Sequence, residues 1–177
     1  MKLILLLLPL VLAVSCSSLS GTAGHGQETV AEVDLERYMG RWYEIASFPN
    51  WFQNDCYCTM AEYELKGDHV SVRNSCRKGS PQGRLNRVTG KAYPVPGSNN
   101  SRLKVRFFWP FKGDYWVLAL DDRYQYALVG HPSKNYLWIL SRNPGMSEEV
   151  YQSLLEKAAR HGYDVSKIRK TPCGEGN

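Results

Sequence analysis

Five cysteines and four histidines hold the most reactive side chains in this 177-residue chain, and their spacing bounds its chemistry. Cys56 and Cys58 form a close pair that could begin a metal site. Zinc sites, however, favour two to four residues within a pair and a matching second pair, whereas Cys76 and Cys173 stand alone. With Cys16 set aside, four cysteines remain, and an even number in an exported chain reads as two disulfides. Neither a metal nor a cofactor is expected. His25 falls in a polar N-terminal stretch, His69 at a turn, His131 near a strand end and His161 in the last helix. None stands in an arrangement that would activate a nucleophile, so no catalytic residue is assigned and the chain reads as a non-enzyme. The formal charge of +5 is scattered, with no Lys/Arg run longer than two. No nucleic-acid module or polybasic cluster is visible, so the charge reads as solubility, with some help at an anionic membrane.

The N-terminus says where such a chain would work. Met1-Lys2 precedes an apolar run from Leu3 to Val14, broken only by Pro9 and followed by Ser15-Cys16. A permanent membrane span needs about 20 residues, so residues 1–15 read as a secretory signal. Ala13 and Ser15 before Cys16 resemble the lipobox of bacterial lipoproteins, although that family usually has leucine where Ala13 stands. The resemblance implies that Cys16 is acylated and anchors the chain. Ser17 then implies a bacterial outer-membrane address, facing the periplasm. An ordinary cleaved signal with an incidental cysteine is the alternative. Residues 16–29, rich in Gly and Ser, are expected to form a flexible tether from Cys16. A domain follows over 30–173, and 174–177 form a tail.

The elements that must position any site are strands. Short β-branched and aromatic runs recur between turn signals at Trp42–Phe48, Cys58–Lys66, His69–Cys76, Asn86–Pro94, Arg102–Phe107, Asp114–Asp121, Tyr126–His131 and Tyr136–Ser141. Eight antiparallel strands with short sequential connections predict an all-β up-and-down barrel, wide enough inside for one small ligand. After Arg142 the period changes. Ser147 as N-cap, Glu148 and Glu149 in the first turn, and apolar residues at helical spacing to Ala159 predict a C-terminal α-helix packed on the barrel's outside. A helical turn over Asp34–Met39 is expected to cover the closed end.

Alternation assigns faces to the strands. Thr59, Ala61, Tyr63 and Leu65 share one side of their strand, opposite Met60, Glu62 and Glu64. Leu103, Val105 and Phe107 oppose Lys104 and Arg106. Val70, Val72 and Asn74 share a face, as do Trp138 and Leu140. The expected ligand-binding residues are Ala61, Val72, Asn74, Val105, Phe107, Tyr115, Val117, Trp138 and Leu140. Trp51-Phe52 and Phe108-Trp109-Pro110-Phe111 fall where the barrel opens, to gate it, dip into a membrane or pack on each other.

Gly40-Arg41-Trp42-Tyr43-Glu44-Ile45-Ala46 opens the first strand, and Leu137-Trp138-Ile139-Leu140-Ser141-Arg142 closes the last. A tryptophan face stacked on an arginine plugs one end of a small barrel, so Gly40, Trp42 and Arg142 read as structural. With Ala119-Leu120-Asp121-Asp122-Arg123-Tyr124 between them, these motifs resemble those of the lipocalins, over about residues 33–173. The stretch Arg106–Tyr115 resembles the bacterial members in particular, and the chain is also similar to apolipoprotein D. The resemblance implies a barrel that stores or transports a lysophospholipid or fatty acid for membrane maintenance. It also implies a Cys58–Cys173 bond. Cys56 and Cys76, symmetric about Lys66, are then left to face each other; Cys58 with Cys76 is one step out of register and stays open. The alternatives are a lipid isomerase or de-epoxidase on the same barrel, or a scavenger of another small hydrophobic ligand. A homodimer also stays open.

Overall fold

Apolar side chains on alternate positions favour strands that can bury one face, and short turns pair each strand with the next. The computed structural model describes residues 28–173 apart from 109 and 111. The expected signal, Cys16, His25, residues 16–27 of the tether, Trp109, Phe111 and the tail lie outside the described residues.

A short helix α1 (Leu35–Tyr38) precedes eight barrel strands. They are β1 (Gly40–Ser47), β2 (Cys56–Lys66), β3 (His69–Lys78), β4 (Leu85–Pro94), β5 (Arg102–Arg106), β6 (Gly113–Leu120), β7 (Tyr126–Gly130) and β8 (Leu137–Ser141). From β2 to β8 each strand is antiparallel to the next, and β1 pairs with both β8 and β2. The sheet therefore closes on itself, as the strand pattern predicts.

Four local expectations are corrected. A ninth strand, β9 (Arg169–Lys170), pairs with β1 at Ala46 and Ser47, above the Gly40–Tyr43 segment that pairs with β2. Two residues are too few to show alternation. β5 ends at Arg106, because Phe107 bends over Gly90, where an added Cβ would lie 2.7 Å from its ring. Leu65, expected on the inward face, is 41% exposed beside the β2–β3 turn, although its ladder partner Val70 is buried. Thr29, expected in the tether, hydrogen-bonds Ser101 through the two hydroxyls at 2.9 Å, and Val30 N–H donates to the Val117 carbonyl.

Two apolar cores result. Inside the barrel, Val33, Tyr38, Trp42, Tyr63, Val70 and Leu103 are among the side chains that pack together. Outside, helix α2 (Glu148–Arg160) buries Tyr151, Leu154 and Ala158 against a wall that includes Leu128 and Ile139. Ser147 accepts the Val150 N–H as N-cap, Glu148 and Glu149 occupy the positive end of the helix, and Lys157 and Arg160 the negative end. Both cores and the closed ladder are built by residues 28–173, so this stretch carries its own hydrophobic core.

Cys58 is bonded to Cys173 and Cys56 to Cys76. Cys56 and Cys76 do not face each other directly, however. The register shifts between Tyr57 and Met60, which sets Cys56 opposite Lys78 and makes its bridge to Cys76 diagonal. Cys58 sits in that irregularity at φ 49°, with its N–H donating to Pro172, and so turns to the C-terminal segment instead of to Cys76.

Candidate functional site: the barrel lumen

The closed end is built first. Trp42 is fully buried, its Nε1–H donates to the Tyr38 carbonyl at 2.9 Å, and the Arg142 guanidinium lies 4.0 Å from its ring centroid. Arg142 also donates to the carbonyls of Tyr124, Arg41 and Arg37, so one cation ties three segments across the base. Gly40 makes room for it: at φ +91° its backbone is left-handed, and a Cβ there would lie 3.4 Å from Arg142 Nη1.

Above this floor stand three tyrosines. The Tyr115 hydroxyl lies 2.7 Å from that of Tyr38 and 3.1 Å from that of Tyr63. Three hydroxyls carry three protons and the two bonds between them use two, so among the described residues these bonds leave one O–H of the trio over. Burial raises all three phenols, Tyr63 to about 12, so they stay neutral donors. Their rings pack together, with Tyr38 5.0 Å from Trp42 and 5.7 Å from Tyr63.

The expected lumen residues divide into two sets. Ala61, Val105, Phe107, Tyr115 and Trp138 pack on the inner core yet keep part of their surface open, and Asn74, half-buried, shares the inward face of Val72. Val72, Val117 and Leu140 are almost wholly buried and act as barrel wall. Among the described residues the Asn74 amide has no hydrogen-bond partner, which leaves it available to a ligand or water.

At the mouth lies a residue the sequence reading passed over. Glu44 faces the lumen opposite Leu140 and is only 8% exposed. Its carboxylate accepts from Thr171 Oγ1 at 2.7 Å, Gln53 Nε2 at 2.6 Å and Ser47 Oγ at 2.9 Å. Burial pushes its carboxyl above the ordinary carboxylate range, and these bonds pull it partway back. Gln53 ends a 3-10 turn, Trp51–Gln53, in the β1–β2 loop. Its Oε1 accepts from Trp138 Nε1–H at 3.2 Å and from the Asn50 amide, so this single side chain fastens the loop to the lumen. Aromatic contacts run the same way, from Trp51 to Phe52, to Tyr136, to Trp138. The missed signal was alternation: if Trp42 points inward, Glu44 does too.

The four cysteines of the described residues are all disulfide-bonded. Of the histidines described, His69 lies by Asp68 at a turn, His131 bonds Ser133 in the β7–β8 loop and His161 caps α2.

A closed eight-stranded barrel, plugged at one end and latched at the other around a mixed apolar and phenolic interior, defines a calyx-type binding protein. The chain belongs to the lipocalin family, whose lipocalin-like domain matches residues 33–173. It is 47% identical over 155 residues to temperature-induced lipocalin-1 of Arabidopsis thaliana, covering 82% of each chain. It is 44% identical over 171 residues to the outer membrane lipoprotein Blc of Escherichia coli, covering 92% of this chain and 94% of that one. Apolipoprotein D also matches. Insecticyanin of Manduca sexta superposes with a TM-score of 0.68 at 27% identity, covering 84% of this chain and 85% of that one.

Proposed function

We propose that this lipocalin binds one single-chain lipid, a lysophospholipid or a fatty acid, and stores or carries it for membrane maintenance without catalysing a reaction on it. The observation that carries the reading is the lumen itself: Ala61, Val105, Phe107 and Trp138 offer apolar surface to a hydrocarbon chain. Burial of each methylene contributes about 0.8 kcal/mol. The spare tyrosine O–H and the Asn74 amide supply polar contacts for a carbonyl, carboxylate or ester oxygen. Val72, Val117 and Leu140 back this surface.

Cys16 is the acylated anchor, residues 1–15 the signal it follows, and the barrel faces the periplasm from a bacterial outer membrane. The similarity to the outer membrane lipoprotein Blc supports that placement. Radiolabelled palmitate supplied to expressing cells tests it. Label should enter the wild-type chain and not Cys16→Ser; equal labelling of both would contradict the anchor.

Titration of the domain with lysophosphatidylethanolamine and with oleate, followed by tryptophan fluorescence, tests the lumen. Saturable binding at one site per chain is expected, weakened by Trp138→Ala and Phe107→Ala. Binding that is indifferent to both substitutions would overturn the assignment.

A further inference from the structure

Between His69 and Gly113 the chain has ten lysines and arginines and not one aspartate or glutamate; the other 132 residues carry twelve cations against seventeen acids. The modest net charge thus conceals a segregation. β3, β4 and β5 are consecutive neighbours in the sheet, so their outward positions form one wall. Arg73 and Arg77 on β3, Arg87 and Lys91 on β4, and Lys104 on β5 are exposed there, with Arg102 and Arg106 half-buried beside them.

Neighbouring acids neutralise only the flanks of this wall. Arg73 pairs with Glu62 of β2 at 3.6 Å and Lys104 with Asp114 of β6 at 2.6 Å. Among the described residues, Arg77, Lys78, Arg84, Arg87, Lys91, Arg102 and Arg106 have no ion pair. Lys91 even sits directly opposite Arg106 in the ladder, a like-charge pairing that costs stability.

The wall runs into the rim of the mouth. Lys78 Nζ donates to the Asn54 carbonyl at 2.6 Å, and Gly79 N–H to that of Asp55, which sets the β3–β4 turn beside the Trp51–Phe52 loop. On the other flank Phe108 follows Arg106 by two residues. Trp51, Phe108 and Phe52 are 76%, 69% and 47% exposed. Cations next to exposed aromatic rings fit an anionic lipid surface, with head groups against Lys/Arg and rings in the interfacial layer.

We infer that the outer face of β3–β5 and the adjoining rim form a docking surface for a bilayer bearing anionic head groups, which brings the mouth of the barrel against the leaflet. This contact is separate from the Cys16 anchor and from whatever the lumen holds.

Flotation of the domain over residues 28–177, which lacks Cys16, tests the inference with vesicles of phosphatidylcholine alone and of phosphatidylcholine mixed with phosphatidylglycerol. Binding to the mixed vesicles should exceed binding to the neutral ones and fall as salt screens the charges. Arg77→Gln, Arg84→Gln, Arg87→Gln and Lys91→Gln should each weaken it by about five-fold. Trp51→Ser with Phe108→Ser should weaken binding to mixed vesicles as well. Oleate binding in the lumen should be unchanged in the four Arg/Lys→Gln variants, which separates failure of the surface from failure of the lumen reading. Equal binding to both vesicle types, insensitivity of the wild type to salt, or a preference for duplex DNA over the anionic vesicles would each overturn the inference. The salt titration needs no variant and so stands even where a substitution impairs folding.

Discussion

The Arg142 guanidinium lies 4.0 Å over the ring of Trp42 and donates to three carbonyls from α1, β1 and the β6–β7 turn. It is a clamp on the barrel floor. Arg142→Ala should cost about 3 kcal/mol, since charge-assisted bonds contribute about 1.5–3 kcal/mol each but are not additive. Arg142→Lys should recover less than half of that, because an ammonium can neither stack nor fork between the carbonyls. Denaturant unfolding of the domain measures both; a lysine variant as stable as wild type would refute the clamp.

Gly40 should resist substitution for a separate reason. At φ +91°, and with Arg142 Nη1 at 3.4 Å from its built Cβ, Gly40→Ala should lose about 1–3 kcal/mol. Alanine at Gly97, also at positive φ but with open space around it, isolates the backbone contribution. The loss at Gly40 should exceed the loss at Gly97 in the same thermal melts.

Tyr115→Phe removes the hydroxyl that Tyr38 and Tyr63 share. Two buried phenols lose their partner, so a cost of about 1–3 kcal/mol is expected. Oleate affinity should fall about two- to ten-fold if the spare proton serves the ligand. In spectrophotometric titration of the wild type, this trio should remain protonated where exposed tyrosines, with ordinary values near 10, have ionised.

Glu44 carries a pH signature. Its folded-state carboxyl is raised by burial, so the folded protein holds a proton that the unfolded chain has released, and stability is lost as pH rises from the ordinary glutamate value through the raised one. The loss is at most about 1.4 kcal/mol per pH unit inside that window. Glu44→Gln should flatten this dependence, so the stability difference should move in the variant's favour as pH rises above about 4.3. Melting curves between acidic and neutral pH read this directly; parallel pH profiles would contradict it.

The two disulfides should differ in worth. Cys58–Cys173 spans 115 residues and Cys56–Cys76 spans 20. Loop-closure entropy assigns them about 5 and about 3 kcal/mol. Paired Cys→Ala substitutions, compared by denaturant midpoint, should rank the long bridge first.

How much of this was legible in the sequence follows from what alternation can report. Strands with one apolar face announce themselves, so the eight barrel strands and the inward set of Val70, Val72, Leu103 and Val105 could be read from residue types alone. α2 was equally plain, from Ser147 and the apolar stripe after it. Irregularity was not. The register shift between Tyr57 and Met60 made the Cys56–Cys76 bridge diagonal, and β9 has only two residues. Glu44 was hidden by its type, since a glutamate on an inward position is the exception that alternation rules are built to ignore. The basic wall was hidden differently. Its cations are spread among uncharged residues along three strands, so no run longer than two appears until the strands are set side by side.

The central claim is that the barrel holds one single-chain lipid. Native mass spectrometry of the domain, purified from expressing cells without detergent, tests it most directly. One lysophospholipid or fatty acid per chain is expected, and it should be displaced by added oleate. A barrel that emerges empty and takes up neither lipid when offered would contradict the account.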